Sequence, residues 1–223
     1  MTSITDVSRL PTTVPVFPLT GAIMLPRVNL PLNLFEPRYL AMFDHALAHD
    51  RFIAMVQPGA PAASADSPEG HVAVRRVGGL GRITAFQETD DGRYILALTG
   101  VCRCTIGEEI HTDAPFRQFN VSYENFEKDL VEDAGAADVD REHLLSVLKA
   151  YLEANDLRAD WDAIRTSRND FLVNSLAMMS PYEAEEKQAL LEAPDLKTRA
   201  EVLVALAEME LAAGGDGSGS TLQ

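Results

Sequence analysis

The chain has 223 residues, 46% of them apolar and 24% charged, with a net charge of −15, a globular composition long enough for one large domain or two small ones. Residues 1–126 carry 13 acidic and 10 basic side chains and residues 127–223 carry 21 and 9, so the charge divides as −3 and −12. The acidic C-terminal part repels phosphate backbones and anionic lipid, which argues against DNA and membrane partners; Met1–Thr13 lacks the basic start and apolar core of a signal peptide, so a soluble, cytoplasmic protein is expected.

Val14–Leu19 and Leu30–Phe35 are short apolar runs bounded by proline and read as strands. Pro37 suits the first turn of a helix, where its missing N–H costs nothing. Tyr39, Leu40, Phe43, Ala46 and Leu47 then recur at helical spacing to about His49. Phe52–Val56 reads as a buried strand and Pro58–Gly70 as a flexible surface loop. Val72–Val77 and Leu80–Glu88 continue the sheet. Asp91-Gly92, between Arg82–Thr89 and Arg93–Thr99, predicts a hairpin with a type I′ turn, which needs positive φ at both central residues. Gly100 precedes a further strand, Val101–Ile106, and Phe116–Tyr123 closes the set. Many short strands around one helix predict a small, closed or nearly closed barrel.

Phe126–Asp138 is acidic and rich in small residues, and reads as a linker or exposed turn. Helices follow. Val139–Leu152 places Leu144, Leu145, Leu148, Tyr151 and Leu152 on one side, and Asp170–Met179 is helical with a start a few residues earlier. Ser180-Pro181-Tyr182-Glu183 has the form of a capping box with proline at the first helical position, which predicts a helix start there, running to about Glu192. Pro194 interrupts, Asp195 caps, and Leu196–Ala212 forms the last helix. The expected organisation is α+β: a barrel over 12–126, an acidic linker over 127–138, a helical bundle over 139–213 and a disordered tail over 214–223.

Few residues offer chemistry. Cys102 and Cys104 sit two apart in a strand, where alternate Cα atoms lie about 6.5–7 Å apart, at the limit for an unstrained disulfide; reduced, packed thiols are expected. Ser146 and Lys149 match a Ser-x-x-Lys spacing, but its partner motifs Ser-Asp-Asn and Lys-Thr-Gly are absent. His45 and His49 stand at i and i+4, yet Ala46 replaces the glutamate of a zincin motif and two ligands do not close a site. Gly78-Gly79-Leu80-Gly81 lies between strands instead of opening a helix, so it predicts a bulge or tight bend and no dinucleotide site. No catalytic group, metal site or cofactor is expected.

Pro15-Val16-Phe17-Pro18-Leu19, Met24-Leu25-Pro26, Leu30-Pro31-Leu32 and Phe35-Glu36-Pro37-Arg38-Tyr39 together resemble the start of the Lon substrate-binding domain family. Gly81-Arg82-Ile83, Asp91-Gly92-Arg93-Tyr94 and Leu98-Thr99-Gly100-Val101-Cys102-Arg103 extend the resemblance, and Asn174-Ser175-Leu176-Ala177 and Glu186–Glu192 look like the helical part of stand-alone bacterial members. It covers residues 12 to 212. The resemblance implies a PUA-like pseudobarrel followed by a helical bundle, and a role in recognising protein substrates. The sequence contains no Gly-Lys pair, hence no Gly-x4-Gly-Lys-Ser/Thr phosphate loop.

The expected function is a non-catalytic module that binds unfolded protein segments or peptides, with a separate ATP-dependent protease as a further partner. Capture is expected in a groove between barrel and bundle, by apolar contact and strand-edge pairing. Glu36, Arg38 and Tyr39 have two readings: they fix the strand-to-helix junction, or Arg38 faces a cleft and holds a peptide carboxylate or backbone. Arg82 and Arg103, on neighbouring strands, are the other peptide-binding candidates, or else internal anchors. An RNA-binding or small-molecule-binding PUA-like domain is the alternative.

Overall fold

The computed structural model describes residues 4–59 and 72–216, the last three by backbone alone. Most of the expected 58–70 loop, and the tail beyond Asp216, lie outside the described residues. A 3-10 turn at Val7–Arg9 leads into six strands: β1 (Thr13–Pro18), β2 (Asn29–Leu34), β3 (Phe52–Val56), β4 (Val77–Glu88), β5 (Tyr94–Ile110) and β6 (Gln118–Ser122). Helix α1 (Pro37–Ala48) is inserted between β2 and β3. The sheet order is β2-β5-β4-β3-β1-β6, and β6 pairs back onto β5, which closes five strands into a barrel with β2 as a flange. β1 and β3 run parallel, with α1 in their connection. The architecture is the α+β barrel with one inserted helix, followed by helices, that the sequence predicts.

The long strand β5 makes closure possible. It spans 17 residues and passes straight through Gly100, where a break between two strands was expected. Its first half pairs with β2 and its last part, from Thr105, with β6, across a register shift between Ile106 and Glu109. The β4–β5 hairpin is also not a type I′ turn. Glu88 pairs with Tyr94 and the Thr89 N–H donates to the Arg93 carbonyl, leaving a three-residue loop, 90–92, in which Gly92 alone has positive φ, 76°. Asp91 instead turns its carboxylate to Arg93 Nε at 2.7 Å. Val72–Val77 does not form a strand of its own; Val74 makes an isolated bridge to Pro58, and β4 begins at Val77.

The glycines serve close approach. The segment between β1 and β2 crosses the β4–β5 ladder so tightly that a Cβ on Gly79 would lie 1.9 Å from the Met24 carbonyl oxygen, and one on Gly100 1.9 Å from that of Leu25. A register shift between Leu80 and Gly81 adds the expected irregularity. This crossing sends Met24 toward α1 and Ile23 and Leu25 toward the helices.

Three large apolar cores result among the described residues, with a small fourth at Val147, Tyr151 and Ala207. Val14, Val16, Val56, Leu80, Cys102, Cys104, Ile106 and Phe119 fill the barrel. Met42, Phe43 and Ala46 of α1 pack with Phe17, Leu34, Ile53, Met55 and Leu98 outside it. β3 is buried on both faces because its alternate residues enter different cores. The third core joins Ile23 and Leu25 to Leu144, Leu172, Val173, Tyr182, Leu190, Leu191 and Leu203 from the helices.

The stretch expected as a linker is folded. Glu124–Leu130 and Ala136–Asp138 are 3-10 turns, Leu130 is buried in the barrel core and Asp129 binds a barrel arginine. Five helices follow: α2 (Arg141–Ala154), α3 (Trp161–Thr166), α4 (Asn169–Met179), α5 (Ala184–Glu192) and α6 (Leu196–Asp216). Asp140, Asp160 and Asp195 cap α2, α3 and α6 through their carboxylates. α3 is absent from the sequence reading, and α5 starts three residues later than expected, at Ala184 with Glu183 as its cap. Tyr182 is buried in the helical core, so Pro181–Glu183 stays extended, and Glu186 then accepts from the Glu183 backbone N–H at 2.8 Å.

Candidate functional site

The junction of barrel and helices is polar. Arg103, on β5, donates from Nε and Nη2 to the two carboxylate oxygens of Asp129 at 2.8 and 2.9 Å, and from Nη1 to the carbonyls of Leu191 and Ala193. Its guanidinium lies 4.6 Å over the Phe126 ring. Arg199, on α6, donates to Leu190 O and Asn174 Oδ1, while Asn174 donates to Pro26 O. Burial, and then the charge of Arg103, pulls Arg199 down to about 9. Arg27 reaches the carbonyls of Asp129 and Val131 and faces Asp170 at 3.6 Å. The cavity here, about 390 Å³, is lined by these same groups. The expected apolar groove between barrel and bundle is therefore not what the fold builds there; charged side chains occupy the junction, Arg103 paired with Asp129 and Arg199 held by neutral acceptors with its Nη2 unpartnered among the described residues.

An apolar groove of about 490 Å³ lies instead among the helices. α2 contributes Val147, Leu148, Tyr151 and Leu152; α4 contributes Phe171, Leu172 and Met179; α6 contributes Leu203, Val204 and Ala207. Leu157 from the α2–α3 connection and Ile164 of α3 form the remaining wall. The groove exists because α3 is only six residues long and ends at Thr166, too short to cover the space between α2 and α4. Met179 is left 80% exposed, Leu157 52% and Phe171 45%. Scattered exposed apolar residues are ordinary, but several lining one concave site make it the candidate binding surface. At one edge, burial pushes the Tyr182 hydroxyl up to about 12, and burial with the nearby Glu210 carboxylate raises that of Tyr151.

The five residues singled out from sequence fall in three places. Glu36, Arg38 and Tyr39 come together at the start of α1: Arg38 Nε donates to Glu36 Oε2 at 3.0 Å, and its guanidinium lies 4.5 Å over the Tyr39 ring, which packs on Phe17. Glu36 thus gives its carboxylate to Arg38 and none to the helix N-terminus. Arg82 lies over Phe52 at 5.7 Å, its Nε buried without a hydrogen-bond partner among the described residues. Arg103 is an internal anchor, 3% exposed. The groove residues were missed because Leu148 and Leu152 read as the buried side of a helix, whereas the short α3 leaves them half-buried and Phe171 exposed.

The remaining motifs are accounted for by packing. Cys102 and Cys104 are free thiols inside the barrel, and burial pushes Cys104 up to about 12 and Cys102 upward as well. Ser146 and Lys149 are exposed, the lysine 3.9 Å from Glu153. His45 and His49 stack with ring centroids 4.2 Å apart. Among the described residues no three His, Cys, Asp or Glu side chains are grouped to hold a metal, and no helix is long and apolar enough to cross a membrane.

Residues 13–208 match the family model of the ATP-dependent protease La (LON) substrate-binding domain. The chain is 26% identical over 195 residues to the Lon protease of Desulfosudis oleivorans, covering 86% of this chain and 23% of that one. It is 25% identical over 209 residues to the Lon protease of Escherichia coli K12, covering 89% and 25%. The chain thus spans about a quarter of the length of these relatives. Among solved structures, a Lon N-terminal domain protein from Xanthomonas campestris superposes with a TM-score of 0.58 at 22% identity, covering 87% of this chain and 98% of that one. The N-terminal domain of Mycobacterium avium complex Lon protease gives 0.62 at 20% identity, covering 88% and 98%. With barrel, crossing segment and helices matched across residues 13–208, the chain belongs to the LON substrate-binding domain family.

Proposed function

We propose that this chain is a non-catalytic recognition module that binds apolar segments of unfolded proteins in the groove between α2, α3, α4 and α6. The observation that carries this reading is the exposure of Met179, Leu157 and Phe171 around one concave apolar site in a member of a substrate-binding family. Apolar side chains entering the groove are removed from water at about 25 cal/mol per Å², so two or three anchors supply micromolar binding once ordering costs are met. Strand-edge pairing contributes less. β2 is the open edge, and it contains Pro31, which lacks a donor and blunts pairing there. Glu36, Arg38 and Tyr39 offer a second, polar contact at the start of α1. Delivery of the captured segment to a separate ATP-dependent protease is the role this module serves.

Against the RNA-binding alternative stands the pairing of Arg93, Arg103 and Arg117 with the carboxylates of Asp91, Asp129 and Glu109, although Arg51, Arg76 and Arg82 make no ion pair among the described residues.

The test is fluorescence anisotropy with labelled apolar peptides and with a reduced, alkylated protein as a permanently unfolded client. Wild type is expected to bind at micromolar concentrations. Met179→Asp, at an exposed position, is expected to weaken binding at least tenfold with an unchanged urea midpoint. Absence of binding below about 100 μM, a loss of some 2.7 kcal/mol from the micromolar expectation, refutes the proposal.

A further inference from the structure

We propose that the cavity at the junction of barrel and helices binds a small dianionic oxyanion, inorganic phosphate or a phosphomonoester, with Arg199, Lys128 and the N-terminus of α6 as its donors. This cavity shares no lining residue with the apolar groove, so the inference is independent of the peptide reading.

Arg199 is 3% exposed and forms part of the cavity wall. Its Nε and Nη1 end on the Leu190 carbonyl and Asn174 Oδ1, and its Nη2 has no hydrogen-bond partner among the described residues. A buried guanidinium held only by neutral acceptors lacks the counter-charge that offsets its desolvation. Three of the four acids in the same wall are committed. Asp129 holds Arg103, Asp170 holds Arg168 at 3.0 Å, and Asp195 caps α6 through the Thr198 N–H at 2.8 Å. The fourth, Asp138, is exposed. Lys128, exposed and without an ion pair among the described residues, adds a second cation to the wall.

Leu196 and Lys197, the first residues of α6, also line the cavity. The N–H groups of a first helical turn have no intrahelical acceptor and carry the positive end of the helix dipole, which makes them donors to anions. A tetrahedral dianion offers oxygens to several such donors at once and pairs well with guanidinium. At about 390 Å³ the cavity holds roughly a dozen water volumes, enough for phosphate and a small organic substituent. Because Arg103 of β5, Asn174 of α4 and Arg199 of α6 share this wall, an anion bound there also holds the barrel to the helices.

The experiment is equilibrium dialysis of the full chain against labelled inorganic phosphate at fixed ionic strength, with glycerol 3-phosphate as competitor. Wild type is expected to bind one phosphate per chain with a Kd of about 1 mM or tighter. Competition by glycerol 3-phosphate at equal or lower concentration identifies an organic phosphate as the ligand, and its failure to compete identifies the free ion; both support the site. Arg199→Lys keeps the charge but loses Nη2, and is expected to weaken binding about tenfold, the loss of one charge-assisted bond. Lys128→Ala, at an exposed position, is expected to weaken it about threefold with an unchanged urea midpoint in phosphate-free buffer. Lys149→Ala, on α2 and outside this wall, is expected to bind as wild type. No saturable binding up to about 10 mM, or wild-type affinity in both Arg199→Lys and Lys128→Ala, overturns the proposal.

Discussion

Asp129→Ala removes the carboxylate that holds the buried Arg103. Three N–H groups of Arg103 end on it: the backbone N at 2.9 Å, Nε at 2.8 Å and Nη2 at 2.9 Å. Charge-assisted bonds contribute about 1.5–3 kcal/mol each, but they form one unit and do not add. The governing quantity is the penalty of leaving a guanidinium uncompensated at 3% exposure, about 3–5 kcal/mol when one partner of a buried pair is deleted. The carbonyls of Leu191 and Ala193, at 3.1 and 2.5 Å, still accept from Nη1 and keep the loss toward the lower part of that range. With a urea m-value of about 2–3 kcal/mol/M for a chain of this size, the midpoint should fall by about 1–1.5 M. The measurement is urea denaturation followed by circular dichroism and by fluorescence of the single tryptophan, Trp161, which sits in α3. A companion double variant, Arg103→Met with Asp129→Leu, should be less destabilised than the sum of the single changes by at least about 2 kcal/mol, because no charge is then stranded. A midpoint drop below about 0.3 M, or a strictly additive cycle, would refute the claim that this pair ties β5 to the helices.

Two further outcomes are expected. Gly100→Ala should cost about 3 kcal/mol or more, because its Cβ would meet the Leu25 carbonyl at 1.9 Å and backbone must move. Gly92→Ala, with open space around it but φ of 76°, should cost only about 1–2 kcal/mol; denaturation midpoints in the reverse order would sink the close-approach argument. Lys187 is buried and donates to the C-terminal carbonyls of Ala177 and Met178, and burial pulls it down to about 8 from 10.5. Between these values the unfolded chain holds a proton that the folded chain has lost, so this group's contribution to stability rises with pH across about 8 to 10.5. The buried thiols and tyrosines titrate with the opposite sign, so the Lys187 share is read as wild type minus Lys187→Met. That difference should shift toward wild type by about 1–3 kcal/mol from pH 7.5 to 10, and a flat difference would show that the lysine is not shifted.

Local physics carried the legible part of the fold. β3 and the start of α1 follow the apolar run and the proline, and Asp195 caps α6 where it was expected. Boundaries failed where distant contacts outweighed local signals. Gly100 reads as punctuation, but it lies in mid-strand because the Leu25 carbonyl needs its missing side chain. Ser180-Pro181 reads as a helix start, but burial of Tyr182 holds that segment extended. The acidic stretch around Asp129 reads as solvated linker, and only the approach of Arg103 shows why an acid is needed there.

By itself the sequence determined the strand–helix order, the reduced state of two same-face cysteines and the family resemblance, since all three are written in composition, short-range periodicity and motif. Tertiary structure alone decided which apolar residues stay uncovered and which charges find partners. Leu148 and Phe171 are ordinary core letters until a six-residue α3 fails to cover them, and Arg103 is a candidate ligand contact until Asp129 closes on it. Exposure and charge pairing depend on residues far apart in the chain, and spacing along one segment does not record them.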